Sequence, residues 1–235
     1  MDVPNALDVL AERGFVYQVS DEAGLRAALE EPITLYCGYD PSAGSLTVGH
    51  LLTIMAMRHL QRHGHRTIAV VGGGTGMIGD PTDKSEARPV LSEEQIEKNV
   101  AGVTQQLAYY LVDGGDGSAL VLNNAEWLRE LRHIEFLRDV GRHFSVNEML
   151  ATDTYRTRLE STGLSYLELS YRPLQGYDFL HLYRNYGCVL QIGGSDQWSN
   201  ILAGVDLIRR AERQQAFGMV APLLTTASGA KMGKT

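Results

Sequence analysis

Leu35-Tyr36-Cys37-Gly38-Tyr39-Asp40-Pro41-Ser42-Ala43-Gly44-Ser45-Leu46-Thr47-Val48-Gly49-His50-Leu51 is the stretch that decides the fold. It reads as a buried strand over 33–37, a turn of Gly, Asp and Pro, and a helix entered at Gly49 and His50. Such a junction turns backbone N–H groups and the positive helix end toward one spot, which suits a phosphate. Gly44 and Gly49 let a ligand approach the backbone closely, and His50 adds a donor whose charge changes near neutral pH. The same stretch also reads as an ordinary strand-to-helix junction with an exposed histidine.

Working outward, Thr67-Ile68-Ala69-Val70-Val71 is a second continuous apolar strand, of the kind a parallel sheet buries on both faces. Strand, helix and strand make one right-handed βαβ unit. The spacing predicts further strands over 119–122 and 188–192, and helices over 5–14, 21–30, 50–63, 92–111, 124–150, 166–186 and 197–214. Residues 151–165 read as polar and turn-rich, and the segment after 214 as a loop. The expectation is an α/β chain. Its 235 residues, 44% of them apolar, suit one large domain or two small ones, with enough chain to bury a core.

A net charge of −7 argues against a surface that coats nucleic acid generally, though it permits a local basic patch. Cys37 and Cys188 sit in apolar runs without metal-type spacing, as in a reducing compartment. The N-terminus carries Asp2, Glu12 and Arg13 and no long apolar run, which predicts no signal peptide, no membrane span and a cytoplasmic location. An organelle protein freed of its transit peptide would read the same. His59, His63 and His65 read as solvated or capping groups, with no carboxylate or cysteine nearby to complete a metal site.

Two glycine motifs mislead. Gly74-Thr75-Gly76-Met77-Ile78-Gly79 has dinucleotide-binding spacing after a strand, but Asp80-Pro81 follows where a helix must open. Gly229-Ala230-Lys231-Met232-Gly233-Lys234-Thr235 has three residues between its glycines where a P-loop needs four. Tyr171, Gln175 and Asp178 are better signals. Their i, i+4, i+7 spacing puts three polar groups on one helix face beside Leu174 and Phe179, which favours a pocket.

Taken together, these segments resemble the catalytic domain of bacterial-type tyrosyl-tRNA synthetases, a class I family. The carriers, in order, are Tyr36-Cys37-Gly38-Tyr39-Asp40-Pro41, Thr47-Val48-Gly49-His50, Gly76-Met77-Ile78-Gly79-Asp80-Pro81, His143-Phe144-Ser145-Val146-Asn147, Gln175-Gly176-Tyr177-Asp178, Gln191-Ile192-Gly193-Gly194-Ser195-Asp196-Gln197-Trp198 and Lys231-Met232-Gly233-Lys234-Thr235. The resemblance implies a Rossmann-like parallel sheet flanked by helices. Its nucleotide-binding halves would lie near 30–90 and 186–235, with a mostly helical insertion and dimer region near 91–185. The interface of the implied homodimer would fall around Phe136 to Val146. It also implies that tyrosine and Mg-ATP give tyrosyl-adenylate and pyrophosphate, with no tightly bound cofactor, before transfer to tRNA(Tyr).

By matching positions, Tyr36 and Asp178 would bind the substrate phenol. Asp80, Tyr171 and Gln175 would hold its ammonium group, and Gln197 its carboxylate side. Cys37, Gly194 and Asp196 would contact the ATP ribose. Gly38, Asp40, Ser42, Thr47, Gly49 and His50 would line the nucleotide and phosphate site. Lys84, Arg88, Lys231, Lys234 and Thr235 would sit on mobile loops closing over the leaving pyrophosphate. The attacking carboxylate is already a nucleophile, so the work is positioning and charge stabilisation.

Several positions depart from the family pattern. Thr47 stands where the signature begins with His, Ser42 replaces Thr, and Ser199 replaces Gly. Pro173 costs about 3 kcal/mol inside a helix, which predicts a helix start near it and Tyr171 at or before that start. The family also has anticodon-binding and RNA-binding domains beyond the lysine loop, so the expectation here is a catalytic domain that makes adenylate and recognises tRNA(Tyr) weakly. The alternative is a repurposed, synthetase-like binding module.

Overall fold

The computed structural model describes residues 4–82, 91–112, 119–161, 163–227 and 232. In chain order the elements are α1 (Ala6–Glu12), β1 (Gln18–Val19), α2 (Glu22–Ala28), β2 (Thr34–Tyr39), α3 (Val48–Arg62), β3 (Arg66–Val71), α4 (Glu93–Leu111) and β4 (Ala119–Asn123). There follow α5 (Ala125–Leu128), α6 (His133–Asp139), α7 (Val146–Leu150), α8 (Asp153–Ser161), α9 (Tyr166–Tyr186), β5 (Cys188–Gly194), α10 (Trp198–Glu212) and β6 (Phe217–Ala221).

The strands form one six-stranded sheet in the order β1-β6-β5-β2-β3-β4. Every pairing is parallel except β1 with β6, so the sheet is mixed at that edge. Alternation along the strands serves two cores. Leu35, Cys37, Tyr39, Ala69 and Val71 face a core shared with α1, α3 and α4. Tyr36, Ile68 and Val70 face the other, with Phe179, Leu182 and Leu207 from α9 and α10. Helices thus cover both faces, which is why the strands read as unbroken apolar runs.

The structure corrects the sequence reading in four places. A strand, β6, stands where a loop was expected; all five of its residues are buried, and Gly218 had weakened its apolar run. β1 has only two residues, too few for periodicity to register. The helix expected over 124–150 is broken into α5, α6, a 3₁₀ turn at Gly141–His143 and α7, and the turn-rich 151–165 holds α8. The strand expected over 119–122 is β4, which pairs with β3 in the main sheet.

The fourth correction concerns Pro173. Helix α9 runs straight through it from Tyr166 to Tyr186, so Tyr171 lies inside the helix. Proline removes the N–H that would bond the Leu169 carbonyl. The Tyr155 hydroxyl of α8 lies 3.4 Å from that oxygen and 3.4 Å from the Glu168 carbonyl oxygen, and donates in its place. The helix start is set instead by Ser165, whose hydroxyl accepts from the Glu168 N–H (3.2 Å) while Glu168 Oε2 accepts from the Ser165 N–H (3.0 Å). Arg158, buried with Glu168, completes that anchor with an ion pair.

Candidate active site

The C-terminal ends of β2, β3 and β5 open on one cleft of about 670 Å³. Every described residue to which the resemblance gives a site role lines it: Tyr36, Cys37, Gly38, Asp40, Ser42 and Thr47 from β2 and its turn; Gly49 and His50 from α3; Asp80; Tyr171, Gln175 and Asp178 from α9; Gly194 at the end of β5; and Asp196 and Gln197 after it. Lys84, Arg88, Lys231, Lys234 and Thr235 lie outside the described residues.

Thr47 is the N-cap of α3. Its backbone N–H donates to His50 Nδ1 at 3.0 Å. An accepting Nδ1 leaves the proton of the neutral ring on Nε2. A Cβ built on Gly49 would touch only Thr47 Oγ1 at 3.6 Å and the Met232 carbonyl at 3.9 Å. The described residues therefore leave this glycine uncrowded at the helix start. Burial pushes the Cys37 thiol up to about 11, so it is a neutral wall group.

On the opposite face of β2 lies a second polar set. The Tyr36 hydroxyl is buried with no hydrogen-bond partner among the described residues. Burial first, then the charge of Asp178, hold its pKa well above 10. Asp178 accepts from Trp127 Nε1 at 2.7 Å and Asn124 Nδ2 at 2.8 Å. Burial nevertheless pushes its carboxyl up to about 7, with Asp40 adding to the rise. Gln175 Oε1 and Gln191 Oε1 are also buried without hydrogen-bond partners among the described residues. Gln191 is the register neighbour of Tyr36, so both side chains share one face.

The remaining polar groups are already knit together. Tyr171 Oη donates to Asp40 Oδ2 at 2.9 Å, and Thr75 Oγ1 donates to Asp40 Oδ1 at 2.9 Å. Asp80 accepts from Gln197 Nε2 at 2.7 Å and from the Thr82 N–H at 2.9 Å. Asn200 Nδ2 donates to Gln197 Oε1 at 3.1 Å. Sequence reasoning missed Thr75, Asn124 and Gln191. The signal for Gln191 was a lone amide in an apolar strand; Asn124 follows the end of β4, where open α/β sheets place ligand groups.

The glycine run after β3 has a local explanation. A Cβ at Gly72 would fall 2.2 Å from Asp40 Oδ1 and 2.5 Å from Thr75 Oγ1, and one at Gly73 would fall 2.3 Å from Asn123 Oδ1. These glycines admit polar side chains to the sheet end. The apparent dinucleotide motif becomes a 3₁₀ turn at Thr75–Met77 and then a left-handed Gly79, with φ of 83°.

A mostly parallel sheet whose strand ends hold adjoining amide, hydroxyl and carboxylate sets beside a helix N-terminus is an arrangement for binding a ligand at the sheet's carboxyl edge. The profile of the class I tRNA synthetases of tryptophan and tyrosine, "tRNA synthetases class I (W and Y)", matches residues 28–235, and the chain belongs to that family. Its similarity to curated proteins points to the tyrosine branch. It is 56% identical over 235 residues to the tyrosine--tRNA ligase of Syntrophus aciditrophicus, covering 100% of this chain and 54% of that protein. It is 54% identical over 233 residues to that of Desulfosudis oleivorans, covering 98% and 54%.

The chain thus spans about half the length of the curated relatives it matches. Among solved structures, a C-terminally truncated mitochondrial tyrosyl-tRNA synthetase from Aspergillus nidulans superposes with a TM-score of 0.88 at 28% identity, covering 98% of this chain and 72% of that one. The tryptophanyl-tRNA synthetase of Plasmodium falciparum shares the fold, with a TM-score of 0.69 at 14% identity over 96% of this chain and 61% of that one. Fold alone therefore does not choose between the two amino acids. No described helix is long and apolar enough to cross a membrane.

Proposed function

We propose that this chain activates L-tyrosine with ATP, giving tyrosyl-adenylate and pyrophosphate, and that the tyrosyl group then passes to tRNA(Tyr). One observation carries the choice of tyrosine: the unpartnered Tyr36 hydroxyl lies within electrostatic reach of the Asp178 carboxylate on one wall of the cleft. A phenol both donates and accepts, so it pairs with an ionised carboxylate and a hydroxyl together. An indole N–H only donates and leaves the Tyr36 hydroxyl unpaired. Phenylalanine gives the Tyr36 hydroxyl no partner, at about 1–3 kcal/mol, and gives Asp178 no donor beyond Trp127 and Asn124.

In the reaction the tyrosine carboxylate oxygen forms a bond to the α-phosphorus, and the bond from that phosphorus to the bridging oxygen breaks. Pyrophosphate leaves with the electron pair. No base is needed. Tyr171, Gln175 and Asp80 hold the ammonium group and Gln197 the carboxylate side. Asp40, Gly194 and Asp196 orient the nucleoside, and the helix start at Thr47, Gly49 and His50 faces the phosphates. Mg²⁺ arrives with the triphosphate as part of the substrate. Lys84, Arg88, Lys231, Lys234 and Thr235 are assigned to the departing pyrophosphate, where charge that grows in the transition state rewards a late grip.

We further propose a homodimer through the exposed apolar side chains Ile134, Leu137, Val146, Tyr166 and Leu167. Phe136 and Phe144, named with that region, instead pack against the core. Sedimentation showing only monomer at high concentration contradicts the dimer. The proposed location is the cytoplasm, tested by cell fractionation.

The test of the activity is ATP–pyrophosphate exchange with Mg²⁺ and tyrosine, phenylalanine or tryptophan. Exchange with tyrosine alone is expected. Exchange with tryptophan in preference, or none in a chain that binds no tyrosine, overturns the reading.

A further inference from the structure

Asp178 and Asp40 are joined by an unbroken line of hydrogen bonds that none of the roles above requires. Asn124 Nδ2 donates to Asp178 Oδ2 at 2.8 Å and to Thr75 Oγ1 at 3.0 Å. Thr75 Oγ1 donates onward to Asp40 Oδ1 at 2.9 Å. The amide cannot be reversed, because Asn124 Oδ1 already accepts from the Gly74 N–H at 2.7 Å. Both hydrogens of Nδ2 are then committed. The single hydroxyl proton of Thr75, which accepts from Asn124, is left for Asp40. Thr75 is 3% exposed and Asn124 1%, so water does not compete for these bonds.

The sheet end is shaped around the link. A Cβ at Gly72 would meet both Asp40 Oδ1 and Thr75 Oγ1 well inside contact distance. Buried hydrogen bonds in series polarise one another, so a change at one end is felt at the other.

We propose that Thr75, acting through Asn124, is a positioning residue that couples the amino-acid subsite at Asp178 to the nucleotide subsite at Asp40. The inference rests on the tyrosine-activation reading. A ligand donor placed on Asp40 offsets part of its charge. That eases the repulsion on Asp178 and favours the ionised carboxylate that accepts from a phenol. The coupling is therefore positive: each ligand tightens the other, by the same factor in either order.

The test is calorimetric binding of tyrosine to this chain with and without the non-hydrolysable analogue β,γ-imido-ATP and Mg²⁺. The wild-type affinity ratio is expected to be about fivefold or more, within the range of measured couplings. T75V keeps the shape and removes the hydroxyl; its ratio is expected to fall below about twofold, and T75S is expected to restore it. N124A cuts the same link from the other side, and T75V/N124A is expected to lose no more than either alone. Melting profiles establish that the variants are folded. A wild-type ratio of one, or a folded T75V that keeps the wild-type ratio, overturns the coupling. Absence of tyrosine binding in the wild type overturns the activation reading instead.

Discussion

Replacing Asp178 with Asn separates what this residue does for the ligand from what it costs the fold. Asp178 is 4% exposed, and burial pushes its carboxyl from 3.8 to about 7 despite the donors Asn124 and Trp127. Between those values the folded protein holds a proton that the unfolded chain has released. Stability from this group therefore falls as pH rises through that window, and the full penalty is present above about pH 7. Integrated from pH 5 to pH 8, the difference in bound protons amounts to about 2–3 kcal/mol at ~1.4 kcal/mol per unit.

Asn does not titrate. It offers one acceptor to two donors, a constant penalty of about 1–3 kcal/mol. The stability difference between Asp178→Asn and wild type should thus move by about 2–3 kcal/mol in favour of Asn from pH 5 to pH 8. Urea denaturation of both proteins at both pH values measures it. An unchanged difference refutes the buried, charge-strained carboxylate. In the same window kcat/KM for tyrosine in the wild type should drop about tenfold from the plateau by pH 6, as the ionised acceptor is lost.

Three further outcomes follow from the geometry. Tyr36→Phe removes a buried hydroxyl that has no partner among the described residues, so the folded state should hold or gain stability. The same change should raise KM for tyrosine about three- to tenfold, and a fall in both stability and KM would contradict the assignment. Pro173→Ala returns an N–H to the Leu169 carbonyl that Tyr155 reaches at only 3.4 Å. Stabilisation of about 1–2 kcal/mol is expected after the unfolded-state entropy of proline is offset, and a lower melting temperature would refute it. Gly72→Ala drives a methyl against Asp40 and Thr75, so pyrophosphate exchange should be lost; retention of normal exchange would show that the sheet end yields.

Much of the architecture was legible because a parallel sheet covered on both faces demands unbroken apolar runs, and β2, β3 and β5 supply them. The face of α9 was legible as well, since helical spacing alone brings Tyr171, Gln175 and Asp178 to one side. What escaped was decided by partners distant in sequence. Local rules stop a helix at Pro173, and only Tyr155 from α8 supplies the missing donor. β6 is strand-like only beside β5, because Gly218 dilutes its pattern. Thr75 sat inside a glycine run that spacing presents as a ligand cradle, while the space those glycines leave is filled by Asp40 and Asn123. Asn124 carries no motif, and the motif that begins at Gln191 assigns that residue no role; what each does comes from what lies across the cleft.

The sheet order has a consequence for how the molecule is made. β2, β3 and β4 are neighbours in sequence and in space, so a chain emerging from its N-terminus can pair them early. The other side of β2 waits for β5 at 188–194, and β5 waits for β6, whose free edge is closed by β1 from residues 18–19. Those closures span some of the longest separations in the chain and are slow on entropic grounds. The cleft lies across that late seam, between β2 and β5. A nascent chain therefore holds half of its phenol wall for most of its synthesis, with the unpaired edge of β2 as the surface that a chaperone or an aggregating neighbour meets first.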